Sequence, residues 1–255
     1  MTRIALRTQV TCVATQEGMV LLDERSGRYW QLNTTGTLIL RHLLHGETPR
    51  QAAAALAHRY PAAAARAAED VDQLLSTLRE RRLLADPPET PPAPNPSPSP
   101  DPDPGATLPP PGRITPAHRV LAVLCAAVAA PLARARPRHI RAVLHLLRRG
   151  AAPATPEQTA AARHAVVTAS ARCAAARSCL HRSLATTLLC RAHGTWPTWC
   201  TGVRTEPFGA HAWVAVDGEP IGEPAHERGY TTIISVPPLS RDRRRGPEGP
   251  PGGGW

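Results

Sequence analysis

Apolar and polar positions divide this chain into two patterned stretches with an unpatterned one between them. In the first, strand-like runs at 10–14, 19–22 and 28–32 are separated by Glu17-Gly18 and Ser26-Gly27. Such spacing predicts three short strands joined by tight turns. Asn33-Thr34 then signals a helix start, and Leu38, Ile39, Leu40, Leu43 and Leu44 recur at helical spacing until Gly46. A second helix is predicted from Thr48-Pro49, with Ala52, Ala55 and Leu56 inward, to about Tyr60-Pro61. A third runs from about 63 to 82, with Val71, Leu74, Leu75, Leu78 and Leu83 on one face. Three strands followed by three helices give a winged-helix-like outline over residues 1–85.

Between 86 and 112 about half the residues are proline and no apolar period survives. This stretch reads as a semi-rigid linker, able to reach roughly 80 Å at ~3.1 Å per residue. Patterning resumes at Thr115-Pro116 with a helix to about 130, its predicted inward face Val120, Leu121, Val123 and Leu124. Helices follow at about 137–149, with Ile140, Val143, Leu144 and Leu147, and at about 156–175, with Ala161, Ala165, Val166 and Ala169. A helix from Cys179 to about Arg191 precedes strands at 196–203, 211–216, 220–224 and 230–236, the middle two turning at Asp217-Gly218. The fold class is therefore α+β, with a second domain over 113–240 and an Arg-, Gly- and Pro-rich tail over 241–255 that reads as disordered.

Composition narrows the function classes. The net charge is +10, and every Lys/Arg position is arginine. The arginines are scattered and only 4% of residues are aromatic, so the stacking platform of a nucleic-acid binder is missing. No signal peptide is read at the start, and the most apolar run, 120–132, is too short to span a bilayer. The six cysteines show neither a Cys-x-x-Cys pair nor zinc spacing. These features point to free thiols in a reducing cytoplasm. His139, His145 and His164 fall on scaffold helices, and no metal is expected on them.

One cysteine is different. Cys179 follows Ser178, a residue able to cap a helix, and so falls in a first helical turn, where unpaired N–H groups and the helix dipole favour a thiolate. Downstream, the strand-like segment 208–216 carries His211. A helix that opens with a cysteine, followed by a strand that presents a histidine, is the arrangement of papain- and transglutaminase-like cysteine enzymes. Histidine has the titration range to take the thiol proton and later donate one to a leaving amine. It also needs an acceptor to fix its tautomer. A hairpin centred on Asp217-Gly218 returns the chain beside His211 near Glu223, whereas Asp217 lies about 20 Å along the strand at ~3.3 Å per residue. Glu223 is therefore favoured over Asp217 as the acid. Thiol hydrolysis needs no metal or organic cofactor.

Two resemblances sharpen this reading. The run from Met19 to Gly36, with its acidic-Ser-Gly turn (Asp23-Glu24-Arg25-Ser26-Gly27), aromatic pair Tyr29-Trp30 and Leu32-Asn33-Thr34-Thr35-Gly36, resembles a PqqD-like precursor-peptide recognition element. Such elements bind the leader of a ribosomally made precursor peptide as an added strand in the groove between the third strand and the third helix. The resemblance implies leader contacts at Arg28, Tyr29, Trp30, Gln31 and Leu32 and at Asp70, Leu74 and Leu78, with only one of Tyr29 and Trp30 able to face the groove.

Cys179-Leu180-His181-Arg182-Ser183-Leu184-Ala185, Gly202-Val203 and Phe208-Gly209-Ala210-His211-Ala212-Trp213-Val214 resemble the transglutaminase-like leader peptidase of lasso peptide biosynthesis. That family implies Cys179 as nucleophile, His211 as base and Glu223 at a place where aspartate is commoner. Trp213 is expected to wall the site. It also implies an asparagine-synthetase-like lasso cyclase as partner, besides the precursor peptide. Acyl transfer to an amine, or a non-catalytic leader-binding adaptor, are the alternatives.

Overall fold

The computed structural model describes residues 4–85, 115–175, 177–224 and 229–239; the proline-rich stretch and the tail lie outside them. The chain begins with an antiparallel meander of β1 (Val10–Thr15), β2 (Gly18–Asp23) and β3 (Arg28–Leu32). The β2–β3 turn is held by Asp23, whose carboxylate accepts from Ser26 Oγ at 2.6 Å and the Arg25 amide at 2.9 Å. Gly27 takes φ +75°, a conformation that costs a side-chain-bearing residue.

Helices α1 (Thr34–Leu44) and α2 (Pro49–Arg59) start where their caps predict. Asn33 accepts from the Gly36 amide, and Thr48 and Gln51 form a reciprocal capping box. The third helix begins later than periodicity suggests. Residues Pro61–Arg66 wind as a 3-10 turn with nothing buried, and α3 (Ala67–Glu80) starts where Ala67 and Val71 enter the core. An alanine-rich stretch with no buried anchor has nothing to hold it on the α-helical path.

The sheet is covered on both faces. Met19 and Leu21 pack with Ile39, Leu40, Leu43, Leu56, Val71 and Leu75 of the helices. Val13, Val20 and Leu22 point the other way, into the core of the second half. That is why 19–22 is an unbroken apolar run: a strand buried on both sides has no solvent face to alternate toward. Where the halves meet, Glu24 is buried; its carboxylate accepts from Thr11 Oγ1 at 2.7 Å and pairs with Arg141 at 2.6 Å. Its carbonyl accepts from the Arg138 amide at 3.1 Å.

The second half contains α4 (Pro116–Leu132), α5 (Pro137–Leu147), β4 (Ala152–Pro153), α6 (Pro156–Ala169), α7 (Ala171–Ala174) and α8 (Cys179–Ala192). Then come β5 (Thr195–Trp196), β6 (Thr198–Thr205), β7 (Phe208–Val216), β8 (Glu219–Pro220) and β9 (Thr231–Val236). β4 and β5 pair in parallel, and the other four form an antiparallel sheet in the order β8-β7-β6-β9. β1 lies against β9, joining the halves. Helix α8 is wrapped by α4, α6 and β7. Its buried hydroxyls are satisfied within the helix, Thr186 and Thr187 donating to the carbonyls of Arg182 and Ser183 at 2.9 Å.

Two predicted faces are corrected. On α4 the buried residues are Ala122, Cys125, Ala126 and Ala129, while Val120, Val123 and Leu124 are exposed. The helix is apolar nearly all round, so period could not choose a face; close approach to α8 and α6 selects the small side chains. The long helix of 156–175 breaks at Ser170, which is extended (φ −133°, ψ 110°) and caps α7 instead. Its buried stripe is Thr159, Ala162, Ala165 and Val166, and Ala161 is exposed. No helix among the described residues is long and apolar enough to cross a membrane.

Candidate active site

Cys179 is the first residue of α8. Ser178 occupies the cap position, but its backbone (φ −109°, ψ 24°) is not extended and its side chain makes no cap hydrogen bond, contrary to the sequence expectation. The amides of Leu180 and Ala212 instead point at the Cys179 sulfur. Burial alone would raise the thiol's pKa. The hydrogen bond to His211, the two amides and the imidazolium charge outweigh it and bring the thiol below its ordinary value.

His211 sits three residues inside β7 rather than at its start, and it is 7% exposed. Its Nε2 is 3.0 Å from Oε2 of Glu223, which leaves Nδ1 for the thiol. Burial would lower its pKa. Hydrogen bonds to Cys179 and Glu223, and their negative charges, win and push it up to about 9. Both shifts favour the thiolate–imidazolium form of the pair over the neutral one.

The hairpin delivers the carboxylate. Pairing of Ala215 with Pro220 and Val216 with Glu219 fixes the register, and the Ile221 amide extends it by donating to the Val214 carbonyl. Glu223, 9% exposed, follows two residues later. Asp217 is in the turn at φ +51°. Arg163 of α6 reaches the other Glu223 oxygen, Nη2 to Oε1 at 3.2 Å.

Aromatic rings wall the imidazole. Trp213 is stacked on His211 at 5.9 Å between centroids, and Tyr230 lies at 5.1 Å. Opposite His211 on β6 stands Gly202, where a Cβ would come within 2.6 Å of the Thr231 carbonyl oxygen and 2.8 Å of the Trp213 ring. Only glycine leaves Trp213 and β9 in place. His181, despite its closeness in sequence, turns to the scaffold, with Nε2 2.7 Å from the Ala126 carbonyl oxygen.

The residues expected to meet a leader separate into groups. Trp30 and Leu32 face the helical core, and Arg81 places its guanidinium over Trp30, 4.9 Å from the ring centroid. Arg28, Gln31 and Asp70 are exposed and Leu74 is half-buried. Leu78, 2% exposed, is closed inside the core, so it offers a groove no surface. A hollow of about 220 Å³ lies between β3 and the end of α3, lined by Arg28, Trp30, Glu80, Arg81 and Arg82 among others. Tyr29 goes the opposite way to Trp30. It packs into the second half, edge-on to Phe208 at 5.9 Å. Its phenol is raised by burial and then by the negative charge of Cys179 beside it. The third strand therefore sends one side chain into the second half, within electrostatic reach of the cysteine.

Sequence reasoning passed over Arg163, one of many arginines on helix faces, and did not foresee Tyr29 next to the thiol. The unbroken apolar run of β2 was the available signal for the second. No group of His, Cys, Asp and Glu among the described residues could hold a metal ion.

The PqqD family, described as coenzyme PQQ synthesis protein D, matches residues 18–84, and the transglutaminase-like superfamily matches residues 122–235. This chain is a PqqD-type domain fused to a transglutaminase-like one. Among solved structures, a lasso peptide synthetase B1 complexed with the leader peptide shares 38% identity. That match covers 33% of this chain and 100% of the other, with a TM-score of 0.32. TbiB1 in complex with the TbiA(beta) leader peptide is 25% identical over 32% of this chain and 98% of its own, with a TM-score of 0.29. No curated protein matches. In the fusion, Cys179, His211 and Glu223 all belong to the transglutaminase-like part, and Tyr29 to the PqqD-type part.

Proposed function

We propose that this protein binds the leader of a ribosomally made precursor peptide along β3 and hydrolyses the leader–core bond with Cys179, in lasso peptide maturation. The observation that carries the reading is the Cys179–His211–Glu223 array, its thiol half-buried and its histidine and acid buried, with Tyr29 of the recognition strand near enough to feel the thiol's charge. The edge of β3 away from β2 has no strand beside it among the described residues, so a leader can add there through its backbone. The chain continuing from that strand would pass the thiol.

In the reaction, the Cys179 thiolate attacks the scissile carbonyl carbon, and amides at the start of α8 receive the developing oxyanion. The His211 imidazolium gives its proton to the departing core amine as the C–N bond breaks, leaving a thioester on the leader. The neutral imidazole then takes a proton from water as its oxygen attacks the thioester, and breaking the C–S bond releases the leader as its carboxylic acid and restores the thiolate–imidazolium pair. Glu223 stabilises the imidazolium and holds its ring. The freed core amine is the group that a lasso cyclase resembling asparagine synthetase would acylate.

A leader–core peptide incubated with the protein should give separate leader and core fragments, and Cys179→Ala should give none while still binding the leader. A product joining the leader to an added amine would replace hydrolysis by acyl transfer. A Cys179→Ala protein that matured the peptide as well as wild type would make the chain an adaptor.

A further inference from the structure

We propose that Arg163 is a positioning residue for the acid of this site, gripping one oxygen of Glu223 so that the other is presented to His211. The proposal rests on the thiolate–imidazolium reading above. Arg163 Nη2 lies 3.2 Å from Oε1, and Oε2 lies 3.0 Å from His211 Nε2. The three side chains are only 19%, 4% and 6% exposed, so the carboxylate bridges its partners out of bulk water. An exposed ion pair would be largely screened; this one is screened much less.

Glu223 needs such a second hold. It lies past the two-residue β8, so no ladder fixes its backbone, and its side chain has one more rotatable bond than aspartate. Arg163 comes from a different element, α6, which packs on α8 and β7. The backbone makes room for it at Gly222. That residue takes φ +70°, and a Cβ there would come within 3.1 Å of Cδ and Nη1 of Arg163.

Among the described residues, other titratable or charged groups near the imidazole include Cys179 of α8, Tyr29 of β3, and Tyr230 with Arg204 over its ring at 5.1 Å. The Glu223 carboxylate is contacted by Arg163 on one oxygen and by His211 on the other. Arg163 therefore has two opposed effects: its charge repels the imidazolium directly, and its grip keeps the carboxylate where it supports the imidazolium. The proposal is that the grip dominates.

The test needs no peptide. Iodoacetamide alkylation of Cys179 in the full chain is followed by peptide mass spectrometry from pH 5 to 9 for wild type, Arg163→Gln, Arg163→Lys, Glu223→Gln and the Arg163→Gln/Glu223→Gln double variant. Arg163→Gln should shift the rate–pH profile upward by about one unit, which slows the reaction by up to about tenfold on the acid side of the thiol's titration. Arg163→Lys should recover part of that loss, and the double variant should react no more slowly than Glu223→Gln alone. An unchanged Arg163→Gln profile, a shift to lower pH, or a double variant slowed by the product of the two single effects would overturn the proposal. If Arg163→Gln lets the reagent reach the buried Cys190 and Cys200, it has lost the fold, and Arg163→Lys with and without Glu223→Gln decides by the same non-additivity. A wild-type thiol titrating at its ordinary value would sink the nucleophile and the arginine's role together, whereas failure to cut a given peptide bears only on the peptidase reading.

Discussion

At the scale of single residues, environment separates one thiol from the other five. Burial pushes the thiols of Cys12, Cys125 and Cys173 up, and those of Cys190 and Cys200 up to about 12, while Cys179 alone is brought down. Brief treatment with iodoacetamide near pH 6.5 should therefore label Cys179 and leave the others, as read by peptide mapping. The sign for activity follows from the pair. Cleavage should rise as pH climbs through the lowered thiol value and fall as it passes about 9, where the imidazolium loses its proton. Stability has the matching sign for His211. The contribution of the held imidazolium is complete below the unfolded value near 6.5 and is lost as pH rises through about 9. A rate profile still climbing well past pH 9 would contradict the assignment. Sequence pattern pointed to the cysteine and histidine because a helix start and a nearby strand are local signals. Arg163 had no such signal, since its partner is 60 positions away.

Secondary elements were legible where a cap or a turn marks them and obscure where packing decides. Asn33, Thr48, Thr115 and Thr155 each accept from an amide three positions on, and each helix begins there. The face of α4 had no such mark. Small residues were buried because α8 lies close, and branched ones were left outside. Ala129→Leu, at a fully buried position, should overpack that contact and cost roughly 1–3 kcal/mol in urea unfolding. Leu124→Gln on the exposed face should change stability by less than about 0.5 kcal/mol. Equal effects would mean that the buried face of α4 is misassigned.

In the whole molecule, the proline-rich stretch suggested two bodies held by a tether, which would raise the local concentration of bound leader near the thiol. Among the described residues the halves instead share a core through Val13, Val20, Leu22 and Tyr29, and Glu24 is locked between Thr11 and Arg141. Proteolytic cutting between Ala85 and Thr115 should therefore leave the fragments together in gel filtration. Glu24→Ala removes the buried partner of Arg141 and should make the cut halves separate more readily, by roughly 1–3 kcal/mol of association. Halves that part at once in the uncut-strength buffer would refute the shared core.

Local chemistry in the chain determined the order of strands and helices, the turns, and a cysteine-histidine pair on neighbouring elements, because caps, glycines and periodicity act over a few residues. Tertiary structure decided what those signals cannot carry. It chose which side of β3 each aromatic takes, it buried Leu78, and it brought Arg163 to Glu223. Each of these depends on surfaces distant in sequence meeting at close range, and an apolar run or a lone arginine reads the same whichever surface it meets.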